Sequence, residues 1–490
     1  MIDGKFNLWK GRTVSWMFVC AILLLIFILS QLAFLSADAD PVISTKSRGA
    51  WTDEGLNTHQ IREYVQFGQL DLLDGDNLLK TPLFSFFLSP FFKFIGISLE
   101  LARVLTVLFC ALTTFFIFRR KELAATGISF IVLTLFFFPV HQYAHLSLAE
   151  IYASILIVAG IISYAFSDNR KETIVLVRLY LLLLLAVLFK VQFIYVLGLP
   201  VFISIVEYFL TRSRNDLLPI LRSIGILMLT LTGMFALWYL PFAHEWSRIA
   251  EIQPGLPRFD ELSLGLIKEN IKRLLLSERY LLFTLMFILC AIYVLFGLFK
   301  RSLSHGQKVL VFLSFGWVLV ESHKLCMIYI PMRYLISFYV SMGLFIAIVL
   351  GILMSKERRT ALVFGLPALM LVLQNIYYLK VSASERTFAV KNMNSYIGSI
   401  AQEGDVVIGP WAPAVTWEAR VHAYPIWVGF LGERNILHYY KPDFIISEPQ
   451  EQDSDGAYRK NGILLDSIGD AVYSERIAEW DLIVYKTKKP

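Results

Sequence analysis

The chain has 490 residues, of which 57% are hydrophobic and 17% charged, with a formal net charge of +6 and a mean hydropathy of +0.61. Soluble domains carry about 25% charged and roughly 45–50% apolar residues, so a soluble fold is excluded: this much apolar surface needs a bilayer. The small positive excess asks for no nucleic acid, because Lys and Arg gather at the inner ends of membrane spans.

The first apolar run, Val14–Leu35, is too long for a signal-peptide core and lacks a small-residue cleavage site, so it reads as a retained span. An acidic loop at 36–97 follows. In it Asp38, Asp40, Asp53, Glu54, Glu63, Asp71, Asp74 and Asp76 outnumber Lys46, Arg48, Arg62 and Lys80. Its last stretch, "PLFSFFLSPFFKFIGI", is apolar but short and interrupted by Pro82, Pro90 and Lys93. That pattern predicts segments lying along the membrane surface.

Ten further spans of about 20 residues are predicted near 98–118, 123–139, 148–166, 173–189, 191–210, 217–240, 279–299, 308–322, 333–354 and 360–379. The fifth and sixth spans form one long run broken near Lys190 and Gln192. Charge decides that they are two: with eleven spans, "KFNLWKGR", "RRKE", "DNRKE", "TRSRND", "KRSLSHGQK" and "SKERR" all fall in the cytoplasm. Dropping one span would put half of them outside. The loops 36–97 and 241–278, the tail 380–490 and the connection "VHQYAHLSLAE" then share the outer side. His244, Glu245 and Arg248, in "PFAHEWSRIAE", are expected to anchor an interfacial helix.

The expected organisation is a membrane catalytic domain at 1–379 and an outer-face accessory domain at 380–490. In the tail, "GDVVIG", "PDFIIS" and "WDLIVYK" read as strands of a small α/β domain. No glycine-rich phosphate loop, Walker motif or internal repeat occurs. Cys20, Cys110, Cys290 and Cys326 all lie in or beside apolar runs, so no disulfide framework is expected in the tail. The outer segments contain no Asn-x-Ser/Thr sequon, which favours a bacterial inner membrane over the endoplasmic reticulum.

The acidic pair Asp53-Glu54 raises a choice. A charge run is ordinarily a solvated face. A carboxylate pair near Arg48 and Lys80 also suits deprotonation of a hydroxyl beside a bound anion.

"DADPVISTKSRGAWTDEGLNTHQIREYVQFGQL" and "LLKTPLFSFFLSPFFKFIGISLELARVL" resemble the first outer loop of the GT-C superfamily of glycosyltransferases. The similarity is greatest to the branch of protein O-mannosyltransferases and lipid A aminoarabinose transferases. Their catalytic Asp, usually followed by Glu, matches Asp53-Glu54. Their Lys-Pro-Pro-Leu-like element matches Lys80-Thr81-Pro82-Leu83, followed by Gly96 and Arg103. "AHLSLAEIY" resembles the family's second acidic position, at Glu150; "LFKVQF" its lysine turn, at Lys190; and "YIPMRYLISFYV" its Pro-x-Arg-Tyr element, at Arg333 and Tyr334.

The resemblance implies a polytopic α-helical fold with a C-terminal α/β domain. The implied activity is transfer of a sugar from a polyprenyl-phosphate donor to a hydroxyl of a glycan, lipid or protein, with inversion, on the outer face. Asp53, Glu54 and Glu150 would be catalytic, and Lys80, Arg333 and Lys190 would bind the donor phosphate. Trp51, His59, His145 and Tyr334 would line the substrate, and Trp411 and Trp417 are further candidates for stacking on sugars. No residue is assigned to a metal, because His59 and His145 lack ligand spacing. The position before Lys80 is Leu79, where the aminoarabinose transferases carry Glu, so a divalent metal ion stays an open addition. The other readings are a secondary transporter or flippase of lipid-linked saccharides, for which internal repeats and mid-membrane charges are wanting, and a glycan ligase or polymerase.

Overall fold

The computed structural model describes residues 13–40, 47–72, 75, 77–167, 172–211, 217–252, 264–299, 303–328, 330–356, 358–429, 433 and 435–488. The basic stretch "KFNLWKGR", most of "DNRKE" and "TRSRND", and Lys46, Asp74 and Asp76 lie outside them.

In chain order the membrane part comprises α1 (Thr13–Leu32), α2 (Gly49–Phe67), α3 (Asn77–Lys80), α4 (Pro82–Ile95), α5 (Leu99–Phe118), α6 (Ala124–Phe130), α7 (Phe138–Ala144), α8 (Ala149–Ala165), α9 (Thr173–Phe189), α10 (Leu199–Thr211) and α11 (Leu217–Met234). It continues with α12 (Ala243–Ile252), α13 (Leu264–Leu274), α14 (Glu278–Phe299), α15 (His305–Glu321), α16 (Met332–Lys356) and α17 (Arg358–Ser384). Among the described residues seven helices are long and apolar enough to cross a membrane, and the pair 121–135 and 138–144, bent by 82°, makes an eighth. Three shorter apolar helices, Trp16–Leu32, Ala149–Ala165 and Thr173–Phe189, take up the remaining predicted runs. The chain is an integral membrane protein, and each of the eleven predicted runs falls on a helix.

α16 is the axial helix, with 94% of its apolar window buried in protein. Gly343 and Gly351 let it approach closely: a Cβ on either would run into the side chain of Thr134 or Thr126. Close approach through small residues is how membrane helices associate where lipid supplies no hydrophobic contrast. The break near Lys190 is real. Lys190 leaves α9 with φ −150 and ψ 103, and a 3-10 stretch at Val191–Gly198 leads into α10. α4 keeps Phe86, Phe94 and Ile95 exposed, as a helix on the membrane surface requires. His244, Glu245 and Arg248 lie on α12.

α17 runs past residue 379 to Ser384, and α18 (Ala389–Ile400) follows. Asp38 caps α18, accepting hydrogen bonds from the Ala389 and Val390 amides at 2.8 and 3.0 Å, so one acidic residue of the first loop is structural. The tail then builds β1 (Val406–Ile408), β2 (His422–Tyr424), α19 (Ile436–Tyr440), β3 (Phe444–Ser447), α20 (Asp455–Lys460), α21 (Leu465–Ile468), β4 (Gly469–Ile477) and β5 (Trp480–Thr487). The sheet order is β2-β1-β3-β5-β4. β1 pairs in parallel with β2 and β3, whereas β5 is antiparallel to both β3 and β4. The three predicted strands are β1, β3 and β5. Sequence reading missed β2, which has three residues, and β4, an edge strand whose side chains are largely exposed.

The tail is seated on α2. Gly55, in mid-helix, costs about 1 kcal/mol against Ala, but a Cβ there would collide with the backbone of Pro413. Arg62 donates to the Pro413 carbonyl at 2.5 Å and lies 4.3 Å over the Trp417 ring. Trp411 and Trp417 are fully buried in this seam. Their expected role in sugar stacking is therefore corrected to packing.

Candidate functional site

α2 carries the acidic pair. It starts after Arg48 and stops at Gly68, whose φ of 71 is a left-handed cap that glycine adopts without strain, its N–H bonding to the Tyr64 carbonyl. Successive residues on a helix point about 100° apart, so Asp53 and Glu54 enter different surroundings.

Glu54 is only 2% exposed. Its oxygens accept from Arg103 Nε at 2.9 Å and a terminal nitrogen at 2.6 Å, and the Ser147 amide donates at 2.6 Å. Arg103 also donates to the Leu35 and Ala37 carbonyls at 2.8 and 2.7 Å. One bidentate pair thus ties α2, the start of α5, the exit of α1 and the turn before α8. Both Glu54 oxygens are committed to these partners, an arrangement that joins the four segments.

Asp53 is different. Its side chain keeps 14% exposure and forms an ion pair with Arg333, itself 12% exposed, at the first turn of α16. Arg333 lies 5.0 Å over the Tyr334 ring and donates to Ser47 Oγ at 3.3 Å. Its guanidinium covers Gly49, where an added Cβ would occupy the same space. Glu150, in the first turn of α8, stands 3.2 Å from Lys190 Nζ. Both are buried, and neither Glu150 oxygen has a hydrogen-bond partner among the described residues. Lys190 in turn lies within electrostatic reach of Asp53 and Arg333. Two carboxylates and two cations from four distant segments therefore form one charge-balanced cluster at one end of the bundle.

Tyr143, buried in α7, lies within electrostatic reach of Arg333, Asp53 and Glu150. Sequence reading missed it, as it did Ser47, because a Tyr or Ser at a helix end carries no motif. The brace behind Arg333 was missed too. Buried Glu321 accepts from Tyr195, Trp317 and Ser337 at 2.8, 3.0 and 2.7 Å, and Lys324 donates to the Tyr334 carbonyl at 2.6 Å.

The other expected residues are spread out. Lys80 ends α3, half-buried at the turn into α4. Trp51 packs edge-on against Trp480 of β5, ring centres 5.1 Å apart, and is buried in the seam with the tail. His145 is fully buried and stacks on Phe34; burial, with Arg103 nearby, holds its pKa well below the usual imidazole value. His59 lies on the far half of α2, its Nδ1 2.9 Å from the Leu56 carbonyl. Trp51 and His145 are thus taken up by packing against the tail and the exit of α1, whereas His59 stands beside Gly75.

A metal ion is not supported by these residues. Leu79 is 1% exposed, and among the described residues no group of three His, Cys, Asp or Glu could hold one.

Arg48, at the start of α2, joins the tail through Glu448 at 3.0 Å and Asp453 at 2.8 Å. Burial pushes the Glu448 carboxyl up to about 7 in spite of Arg48. The Arg48–Glu448 contact therefore gains its full charge only above neutral pH.

No protein-family model matches the sequence, and no curated protein does. Solved structures do. ArnT from Cupriavidus metallidurans in the apo state aligns over 96% of this chain and 98% of that one, with 11% identity and a TM-score of 0.62. The same protein bound to undecaprenyl phosphate aligns over 97% and 98%, with 13% identity and a TM-score of 0.55. The archaeal oligosaccharyltransferase AglB from Archaeoglobus fulgidus aligns over 90% and 70%, with 11% identity and a TM-score of 0.49. At such identities the likeness is one of architecture, and on that ground the chain has the fold of the GT-C glycosyltransferases.

Proposed function

We propose that this protein is a membrane glycosyltransferase that moves a sugar from a polyprenyl-phosphate carrier to a hydroxyl acceptor. The observation that carries the reading is the cluster of Asp53, Glu150, Lys190 and Arg333: an accessible carboxylate beside cations suited to a phosphate. ArnT, which shares the fold, has been solved with undecaprenyl phosphate, and that supports a lipid-phosphate donor. Asp53 takes the proton of the acceptor hydroxyl as its oxygen attacks the anomeric carbon. The bond from that carbon to the phosphate oxygen breaks, its electron pair leaves with the polyprenyl phosphate, and single displacement inverts the centre. Arg333, a bidentate phosphate partner, and Lys190, a point charge, stabilise the leaving group. Lys80 meets the donor from the α3–α4 turn. Glu150 keeps Lys190 charged and in place.

The resting pairs add a control. While Arg333 holds Asp53, the carboxylate is a weak base. A donor phosphate competes for Arg333 and releases Asp53 when there is a sugar to transfer. The direct test is mass spectrometry of products from purified protein, polyprenyl-phosphate sugars and candidate acceptors. One added sugar per acceptor is expected; polymer, or movement of the lipid without covalent transfer, overturns the reading.

Gly49→Ala probes the same geometry. The new methyl occupies the guanidinium's place and swings Arg333 off Asp53. A misplacement of about 1 Å in a positioning group costs on the order of 10²-fold, so transfer should fall by that order with the melting temperature little changed. Unchanged transfer would show that the Arg333 seat is immaterial.

We place the cluster and the tail on the outer face of a bacterial inner membrane, with the 1–379 and 380–490 parts as catalytic and accessory domains. In a cysteine-free variant, single cysteines at exposed Tyr64 and Ser399 should react with an impermeant thiol reagent in intact cells. One at exposed Glu122 should react only after lysis. The reverse pattern inverts the orientation.

A further inference from the structure

A second cavity, of about 350 Å³, opens between the far half of α2, the 69–71 segment and the tail. It is lined by His59, Gln60, Glu63, Tyr424, Tyr439 and Tyr440, with Gln69 and Asp71 at its edge. Its size falls within the range of small-ligand pockets. Among the described residues no Lys or Arg lines it and two carboxylates do, so an anion is disfavoured there. Three tyrosine rings run in series, Tyr424–Tyr440 at 4.7 Å and Tyr440–Tyr439 at 4.8 Å between centres. Tyr439 stands 66% exposed at the rim. Such rings offer flat apolar faces with a hydroxyl at the edge, which suits a ligand with both C–H faces and hydroxyls.

The walls are fixed. Gln60 binds the Asp71 and Gly75 carbonyls at 2.9 and 3.0 Å and takes the Leu78 amide at 2.9 Å. Glu63 accepts from His422 and the Ala423 amide at 2.8 and 3.1 Å. The five-residue α19 that presents Tyr439 and Tyr440 is bracketed by left-handed residues, Asn435 at φ 54 and Lys441 at φ 47. A lysine in that region is uncommon, and such backbone clusters at ligand clamps. With a rise of 1.5 Å per residue, Gln60 and Glu63 lie roughly 10–15 Å along α2 from Asp53.

We infer that this cavity binds an uncharged saccharide unit of the acceptor, remote from the hydroxyl that reacts. The inference rests on the glycosyltransferase reading for the word acceptor, though not for the binding itself. The test uses the full-length purified protein on an array of neutral and phosphorylated oligosaccharides, with Tyr439→Ala and Gln69→Ala, both at exposed positions. Neutral members should bind, and each variant should weaken them by about fivefold to tenfold. In transfer assays the variants should raise KM for the acceptor and leave kcat and donor hydrolysis unchanged. Binding confined to phosphorylated members, equal binding by the variants, or no binding overturns the proposal. Neutral binding lost in the variants, with no sugar transfer by the unaltered protein, upholds the cavity and rejects the catalytic reading instead.

Discussion

Asp53→Asn is expected to lower sugar transfer by about 10²–10⁴-fold, the usual contribution of a general base, while donor binding persists. The amide is nearly the same size and keeps an oxygen toward Arg333, so the seat of the guanidinium survives. What disappears is the acceptor for the hydroxyl's proton. Loss of the Asp53 charge also weakens the hold on Arg333 without unseating it, so the variant should bind a polyprenyl phosphate at least as tightly as the parent. That separates a lost base from a collapsed site. Both are measured on one preparation: transfer by product mass, binding by titration with the lipid phosphate. A variant that transfers at near the parental rate would make the cluster an ordinary ion-pair network and end the catalytic reading.

Glu54→Ala should act through folding instead. Removing one partner of a buried, hydrogen-bonded ion pair costs about 3–5 kcal/mol, because the remaining charge is stranded. Here the stranded group would be Arg103, 3% exposed, and the Ser147 amide would lose its acceptor as well. The protein should show a clearly lower melting temperature in detergent and poor recovery. Arg103→Ala should match it. Replacing both by apolar residues of similar volume should recover much of the loss, a rescue that a catalytic role for Glu54 would not permit. If Glu54→Ala keeps the parental melting temperature and loses only activity, the division of labour between these neighbours is reversed.

That division could not be read from the sequence. Asp53 and Glu54 are adjacent, and the pattern that marks them carries no sign of which faces Arg103 and which faces Arg333; the rotation of α2 decides it. The spans were legible because a bilayer imposes a run length that composition alone reveals. Lys190 and Arg333 were legible as charges at span ends, though only the fold brings them together. The placing of Trp51 could not be read from the sequence, for a definite reason. An aromatic or imidazole beside a catalytic position looks like a lining, but every helix has a back, and α2 turns its back to the tail. Tyr143, Ser47 and the Glu321–Lys324 brace gave no local signal, since their meaning lies in partners far along the chain.

The place of β5 has a consequence for how the protein is made. β5 lies inside the sheet, between β3 and β4, and its Trp480 covers Trp51 on the helix that holds Asp53. The ribosome reaches Trp480 long after Trp51; at about 5–20 residues per second the interval is on the order of 20–90 s. Throughout it the face of α2 that carries Trp51 lacks its β5 cover. The nascent chain can insert its helices and still lack this cover over the helix that holds Asp53 until β5 arrives. Ribosomes that stop short of β5 therefore leave an inserted but unsealed protein, with the open seam a chaperone or protease would recognise.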